Sequence, residues 1–149
     1  MTLKHTFTLE SMEEYVLQQT QRAAKAVLET FIQVGLQFVR EARLKTAADG
    51  GFNDITGNLR SSIGFIIMND GKQVELDFQE GGAGTDQITG VAIGIDFAEQ
   101  VAKNYPKGLA LICVAGMDYA AAVESKGKDV ITGSTLELEA RLRTLLSGL

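Results

Sequence analysis

General acid–base or nucleophilic chemistry needs titratable side chains held within hydrogen-bond reach of one another, and this chain offers few. Its one histidine, His5, lies in a stretch read as a flexible arm over residues 1–10. Its one cysteine, Cys113, sits in the apolar run Leu109–Ala115, where a thiol serves as a small buried hydrophobe. One His, one Cys and no closely spaced carboxylates make no metal-ligand pattern. Asp118, Glu124 and Asp129 could in principle pair as acid and base, but nothing in the sequence raises a pKa among them, and a solvated surface is the expectation. Gly81-Gly82-Ala83-Gly84 follows one element and precedes another, as phosphate-cradling loops do. It lacks a Gly-Lys-Ser/Thr ending and the Gly-x-Gly-x-x-Gly spacing, so a mobile surface loop is expected. No catalytic residue, cofactor or metal is expected.

The composition bounds what can position such groups. With 149 residues, 45% hydrophobic and 22% charged, the chain suits a single domain over 1–149. The net charge is −5, and the 14 Lys and Arg are scattered. A protein that grips nucleic acid clusters them to neutralise phosphates. No run of about 18 apolar residues suggests a membrane span, and the first residues lack the pattern of a secretion signal.

The first element dominates. Ser11-Met12-Glu13-Glu14 reads as a capping box, in which the Ser and Glu side chains satisfy each other's free backbone donors. From there to about Thr46 no proline intervenes. Val16, Ala23, Val27, Phe31, Val34 and Phe38 recur at helical spacing, with Leu28, Ile32, Val39 and Ala42 widening the stripe. About 35 residues at 1.5 Å each make a rod of roughly 50 Å. A compact domain of this length is only about 40 Å across. Either Gly35 bends the helix, its start frays, or the overhang packs on another subunit. The last is the expectation, with Val16, Ala23, Val27, Phe31 and Phe38 as the interface.

Beyond it, Ile63 to Met68 reads as a strand with apolar residues on both faces. Asn69-Asp70-Gly71-Lys72 signals a hairpin, and the returning strand points Val74, Leu76 and Phe78 inward. Residues 86–95 are ambiguous. Val91, Ile93, Ile95 and Phe97 alternate as in a strand, whereas Asp96-Phe97-Ala98-Glu99 suggests a helix capped by Asp96 and ending near Asn104. Leu109–Ala115 reads as a buried central strand and Tyr119–Val123 as a helical turn. Ser134-Thr135-Leu136-Glu137 is a second capping box, opening a final helix lined by Leu138, Leu142, Leu145 and Leu146. The expected class is α+β, with the long N-terminal helix and the C-terminal helix packed on a small, mainly antiparallel sheet.

Two short segments stand out. In Thr56-Gly57-Asn58-Leu59-Arg60-Ser61-Ser62-Ile63, Gly57 permits a sharp turn before Leu59 enters the core, and Arg60 and Ser62 can tie the loop down. In Tyr119-Ala120-Ala121-Ala122-Val123-Glu124-Ser125-Lys126-Gly127, Tyr119 and Val123 lie one helical turn apart, leaving Glu124 to face solvent or a neighbour. The first resembles the T-G-x-L-R-x-S-I step of long-tailed phage head–tail joining proteins, also described as minor tail or tail-completion components. The second is similar to their Y-A-x-x-V-E-x-G region. The family positions carried over are Thr56, Gly57, Leu59, Arg60, Ser62 and Ile63, then Tyr119, Ala120, Val123, Glu124 and Gly127. The order of elements agrees along most of the chain. The Pro- and Phe-containing stretch that commonly follows the second motif in that family is missing from Lys126–Val130.

The resemblance implies a virion or prophage structural protein, made in the cytoplasm of a bacterial host. It implies no enzyme activity. Such proteins form a ring, commonly of six copies, between the head connector and the tail tube, with DNA as passing cargo and no membrane contact. On that reading an acidic lumen would let DNA slide through, and loops 70–72 and 81–86 would order on docking. Two other classes compete with it: a small ligand-binding or enzyme domain using the Gly81–Thr85 loop, and a cellular protein–protein adaptor.

Overall fold

A computed structural model describes residues 8–149, so His5 and most of the expected arm lie outside the described residues. Helix α1 spans Leu9–Leu44, 36 residues without a break. Its cap is Thr8, whose Oγ1 accepts from the Ser11 amide while the Ser11 hydroxyl receives the Thr8 amide. Ser11 is thus the inner half of a box that starts three residues earlier than the sequence suggested. The chemistry is the same, because a second hydroxyl upstream satisfies the same orphan donors. Thr8, Leu9 and Glu10 consequently belong to the helix and its cap, and not to an arm. Gly35 does not interrupt α1; a methyl group there would come within 2.9 Å of the Phe65 ring, so the glycine admits an aromatic ring between helix and sheet.

After a 3-10 turn at Ala47–Asp49 and the one-turn helix α2 (Asn58–Ser61) come strand β1 (Ile63–Asn69) and strand β2 (Lys72–Phe78). Asp70 and Gly71 both have positive φ, 49° and 78°, as a two-residue primed hairpin turn requires. Helix α3 (Gln87–Ala102), strand β3 (Leu109–Ala115), helix α4 (Ala120–Ser125) and helix α5 (Thr132–Ser147) complete the chain. The three strands form one antiparallel sheet in the order β2-β1-β3. The class is α+β, as expected.

β1 is the central strand and is buried from Ile63 to Ile67. Ile63, Phe65 and Ile67 face α1 and join Phe38, Val39, Ala42, Phe52, Leu59 and Val130. Ile66 faces α3 and joins Ala98, Ala102, Ile112 and Val114. A continuous apolar run is what a strand covered on both sides needs. β3, expected at the centre, is an edge strand; helices cover both its faces too, so its composition imitates a central one. The ambiguous segment is helical. Gly90, Gly94, Ala98 and Ala102 form its buried stripe, and Asp96 lies mid-helix, accepting from Gln100 Nε2 at 2.6 Å. In β2, Leu76 and Phe78 pack on the α3 side, while Val74, at the register shift opposite Ile67/Met68, remains exposed.

Candidate functional site: the motif brace and the overhanging helix

A helix ends with unpaired backbone carbonyls, and at the end of α1 the first motif supplies their partner. Asp54 accepts the amides of Gly57 at 3.1 Å and Arg60 at 2.7 Å. Gly57, at φ 82°, makes the left-handed turn that opens α2. Leu59 is buried, while Arg60 runs under the end of α1. There its guanidinium donates to the carbonyls of Arg43 and, at 2.9 Å, Lys45, and lies 4.7 Å from the centroid of the Phe52 ring. Arg43 Nε donates back to the Arg60 carbonyl at 3.2 Å. Ser62 is buried with its hydroxyl on the Leu59 carbonyl at 2.8 Å, and Ile63 starts β1 fully buried.

The second motif braces the other end of the chain against the first. Tyr119 is partly exposed; burial and the nearby Asp54 raise its hydroxyl pKa, while a hydrogen bond with Thr56 pulls it back. The two motifs therefore meet at Tyr119 and Thr56. Ala120 enters the core and Val123 packs against it. Glu124 is half-buried and is engaged by its own chain. Its Oε1 accepts the amides of Val130, Ile131 and Thr132 at 3.3, 2.8 and 3.0 Å, and Oε2 accepts the Thr132 hydroxyl at 2.8 Å. Burial raises its pKa, but these donors outweigh burial and lower it overall. Glu124 is thus the cap of α5, reaching across eight residues. The expected Ser134 box does not form: α5 starts at Thr132, and Ser134 is buried, its hydroxyl without a partner among the described residues. Asp129 ion-pairs with Lys45 beyond the end of α1 and accepts the Gly133 amide at 3.0 Å. Gly127, at φ 79°, stands in open space.

The Gly81–Thr85 loop is packed, not free. Ser61 Oγ accepts the Gly81 amide at 2.9 Å, and Gln87 Nε2 donates to the Gly82 carbonyl at 2.5 Å. Side chains at Gly84 and Gly90 would collide with the backbones of Thr56 and Asn58. The glycines here permit close approach to the first motif. An anion at the start of α3 would also meet Asp86, whose carboxylate is held by Thr89 and Asn58. The hairpin turn is tied as well, with Asp70 Oδ1 accepting the Gly108 amide at 2.8 Å. Both loops are thus tied by hydrogen bonds within the chain. Cys113 is partly buried against the core, and desolvation pushes its thiol up to about 12. Among the described residues no group of three or more His, Cys, Asp or Glu could hold a metal.

The residues expected at an interface divide sharply along α1. Phe38 is 1% exposed and belongs to the protein's own core, Phe31 packs against that core, and Val27 is half-buried. Val16 is 61% exposed and Ala23 is exposed. Every residue from Thr8 to Lys25 is exposed, among them Leu9, Met12, Tyr15 and Leu17. The apolar stripe thus continues for about 25 Å past its own domain. No helix of the described residues is long and apolar enough to cross a membrane. The chain matches no protein-family model, no curated protein and no solved structure, so a functional reading rests on this brace and this overhang.

Proposed function

We propose that this chain is a virion or prophage structural protein that acts in head–tail joining or tail completion by assembling as a ring, with six copies as the family's usual number. It would work in the bacterial host's cytoplasm during assembly and in the virion afterwards, between connector and tail tube, with DNA as cargo. The observation that carries the reading is the uncovered half of α1. Leu9, Met12 and Val16 lie on one face at i, i+3, i+7, the spacing of a helix side meant to be buried. An apolar stripe left in water on a monomer marks an interaction surface. Ring closure needs one heterologous contact repeated around an axis, and a projecting helix can reach the next copy. The two motif segments support the same reading. They brace α1 and α5 against the sheet, which fixes the direction in which the overhang points.

Val16→Glu tests it, because it places a charge on the exposed stripe while touching nothing in the folded core. In a complementation assay the variant should lose head–tail joining, yet keep the melting temperature of the parent within about 1 °C. Full joining by Val16→Glu, or by a chain lacking residues 9–25, would overturn the role given to the helix.

A further inference from the structure

A heterologous contact has two different halves, and the overhang is only one of them. We propose that the other half is the ledge formed by the α4–α5 connection and the first turn of α5, and that the occupant of this ledge is the N-terminal tip of α1 from a second copy. This rests on the ring reading above and names the surface that completes it.

The ledge lies at the opposite pole of the molecule from the tip. Lys45, just past the end of α1, pairs with Asp129 in the connection, and Glu41 pairs with Arg141 of α5. The tip, Leu9 to Leu17, lies about 45 Å away along α1. Tip and ledge therefore cannot meet within one chain, and contacts between opposite poles propagate head to tail, as a ring requires. The ledge is a shallow depression whose lining includes Glu124, Gly127, Lys128, Asp129, Thr132 and Leu136. Leu136 is 65% exposed, an apolar side chain on the outer face of a helix with nothing over it.

Charge matches the two halves. Glu10, Glu13 and Glu14 surround the apolar tip, and none of them has an ion-pair partner among the described residues. On the ledge two carboxylates are ion-paired, Asp129 with Lys45 and Glu137 with Arg141 at 3.7 Å, while Glu124 keeps its charge, held by three amides and a hydroxyl. Lys126 and Lys128 are exposed and make no ion pair among the described residues. An acidic, apolar helix tip thus faces a ledge whose two lysines without an ion pair outnumber its one such carboxylate, Glu124, beside one apolar contact point, and complementary charge selects partner and direction more than it adds affinity. Two helical turns cover far less than the roughly 800 Å² per partner of a stable pair. A single contact is therefore weak, and it holds in a closed ring where each copy makes it twice.

The experiment uses full-length chains with Cys113→Ala, one carrying Met12→Cys and the other Leu136→Cys, oxidised separately and mixed at high concentration. The expected result is a disulfide-linked pair only in the mixture, lost when Glu13→Lys and Glu14→Lys are added to the first chain. Adding Lys126→Glu and Lys128→Glu to the second chain should restore it. Met12→Cys chains linking to each other would show a two-fold pairing of overhangs and overturn the proposal, as would a mixture that forms no bond. The ring reading is read separately through joining by Val16→Glu. If that variant fails to join while the tip and ledge do not link, the helix acts through another surface and only the ledge is lost.

Discussion

Glu124 carries a sharp prediction because its carboxylate does the work usually given to a residue at the helix start. Four donors from Val130 to Thr132 converge on it, so Glu124→Ala removes the cap of α5 and leaves these amides unpaired. A lost cap costs about 1–2 kcal/mol, equivalent to a fall of about 3–6 °C in melting temperature for a domain of this size. The pH dependence follows from the sign of the shift. The folded-state pKa of Glu124 is lowered from 4.5, and that of Asp129 from 3.8. Each group therefore contributes stability that is full above its unfolded value and is lost as pH falls through the folded one. Melting temperature should drop below about pH 4.5 in the parent, and Glu124→Gln should flatten that drop. An unchanged slope in Glu124→Gln would mean that the carboxylate charge contributes nothing to holding α5. This role was not legible in the sequence, where a cap is sought within three or four residues of the helix it serves. Arg60 was closer to legible: an arginine after a turn glycine suggests a tie, though not that it binds the last carbonyls of a helix fifteen residues back.

Helix α3 shows how packing can overrule local preference. Gly90 and Gly94 each weaken a helix by about 1 kcal/mol relative to alanine, and Val91, Ile93 and Ile95 favour a strand. The helix forms because the two glycines, with Ala98 and Ala102, make one smooth side that lies against α2 and the sheet. A methyl at Gly94 would come within 2.7 Å of the Ser62 carbonyl and 2.8 Å of the Phe78 ring, and one at Gly90 would strike the Asn58 backbone. Gly90→Ala should therefore destabilise the protein by about 1–3 kcal/mol, as overpacking does, despite the gain in helix preference. Urea denaturation checks it, and a variant more stable than the parent would show that α2 yields easily. The i, i+4 spacing of small residues was visible at 90, 94, 98 and 102, but the stronger alternation of β-branched residues hid it. The hairpin was legible because Asp70-Gly71 requires positive φ at both central positions, a local demand that tertiary structure does not alter. The edge position of β3 was not, because what covers a strand's faces is set by helices distant in sequence. Leu109–Ala115 would read the same in either place.

The molecule as a whole is a braced domain with half of its longest helix projecting from it. An isolated helix of about 17 residues is marginal in water, since nucleation is costly and propagation adds little per residue. Every residue from Leu9 to Lys25 is exposed, and what keeps the segment helical in a single copy is continuity with the packed turns from Val34 to Ala42 and the Thr8–Ser11 cap. Its opening free energy should therefore be near zero at the tip and rise toward Val34, whereas amides in β1 should open only with the whole domain. Hydrogen exchange on the dilute protein should show residues 9–25 exchanging within seconds to minutes and Ile63–Ile67 protected far longer. Assembly changes only the first of these. If the overhang is buried against a second copy, raising the protein concentration or adding the joining partners should slow exchange across Leu9–Leu17, with Lys126–Leu136 slowing in parallel. The brace at Asp54, which holds the amides of Gly57 and Arg60, should exchange at the same rate in both states. Slowing confined to the sheet edges, with the overhang still exchanging freely in the assembled particle, would place the subunit contact elsewhere and leave the exposed stripe of α1 without a use.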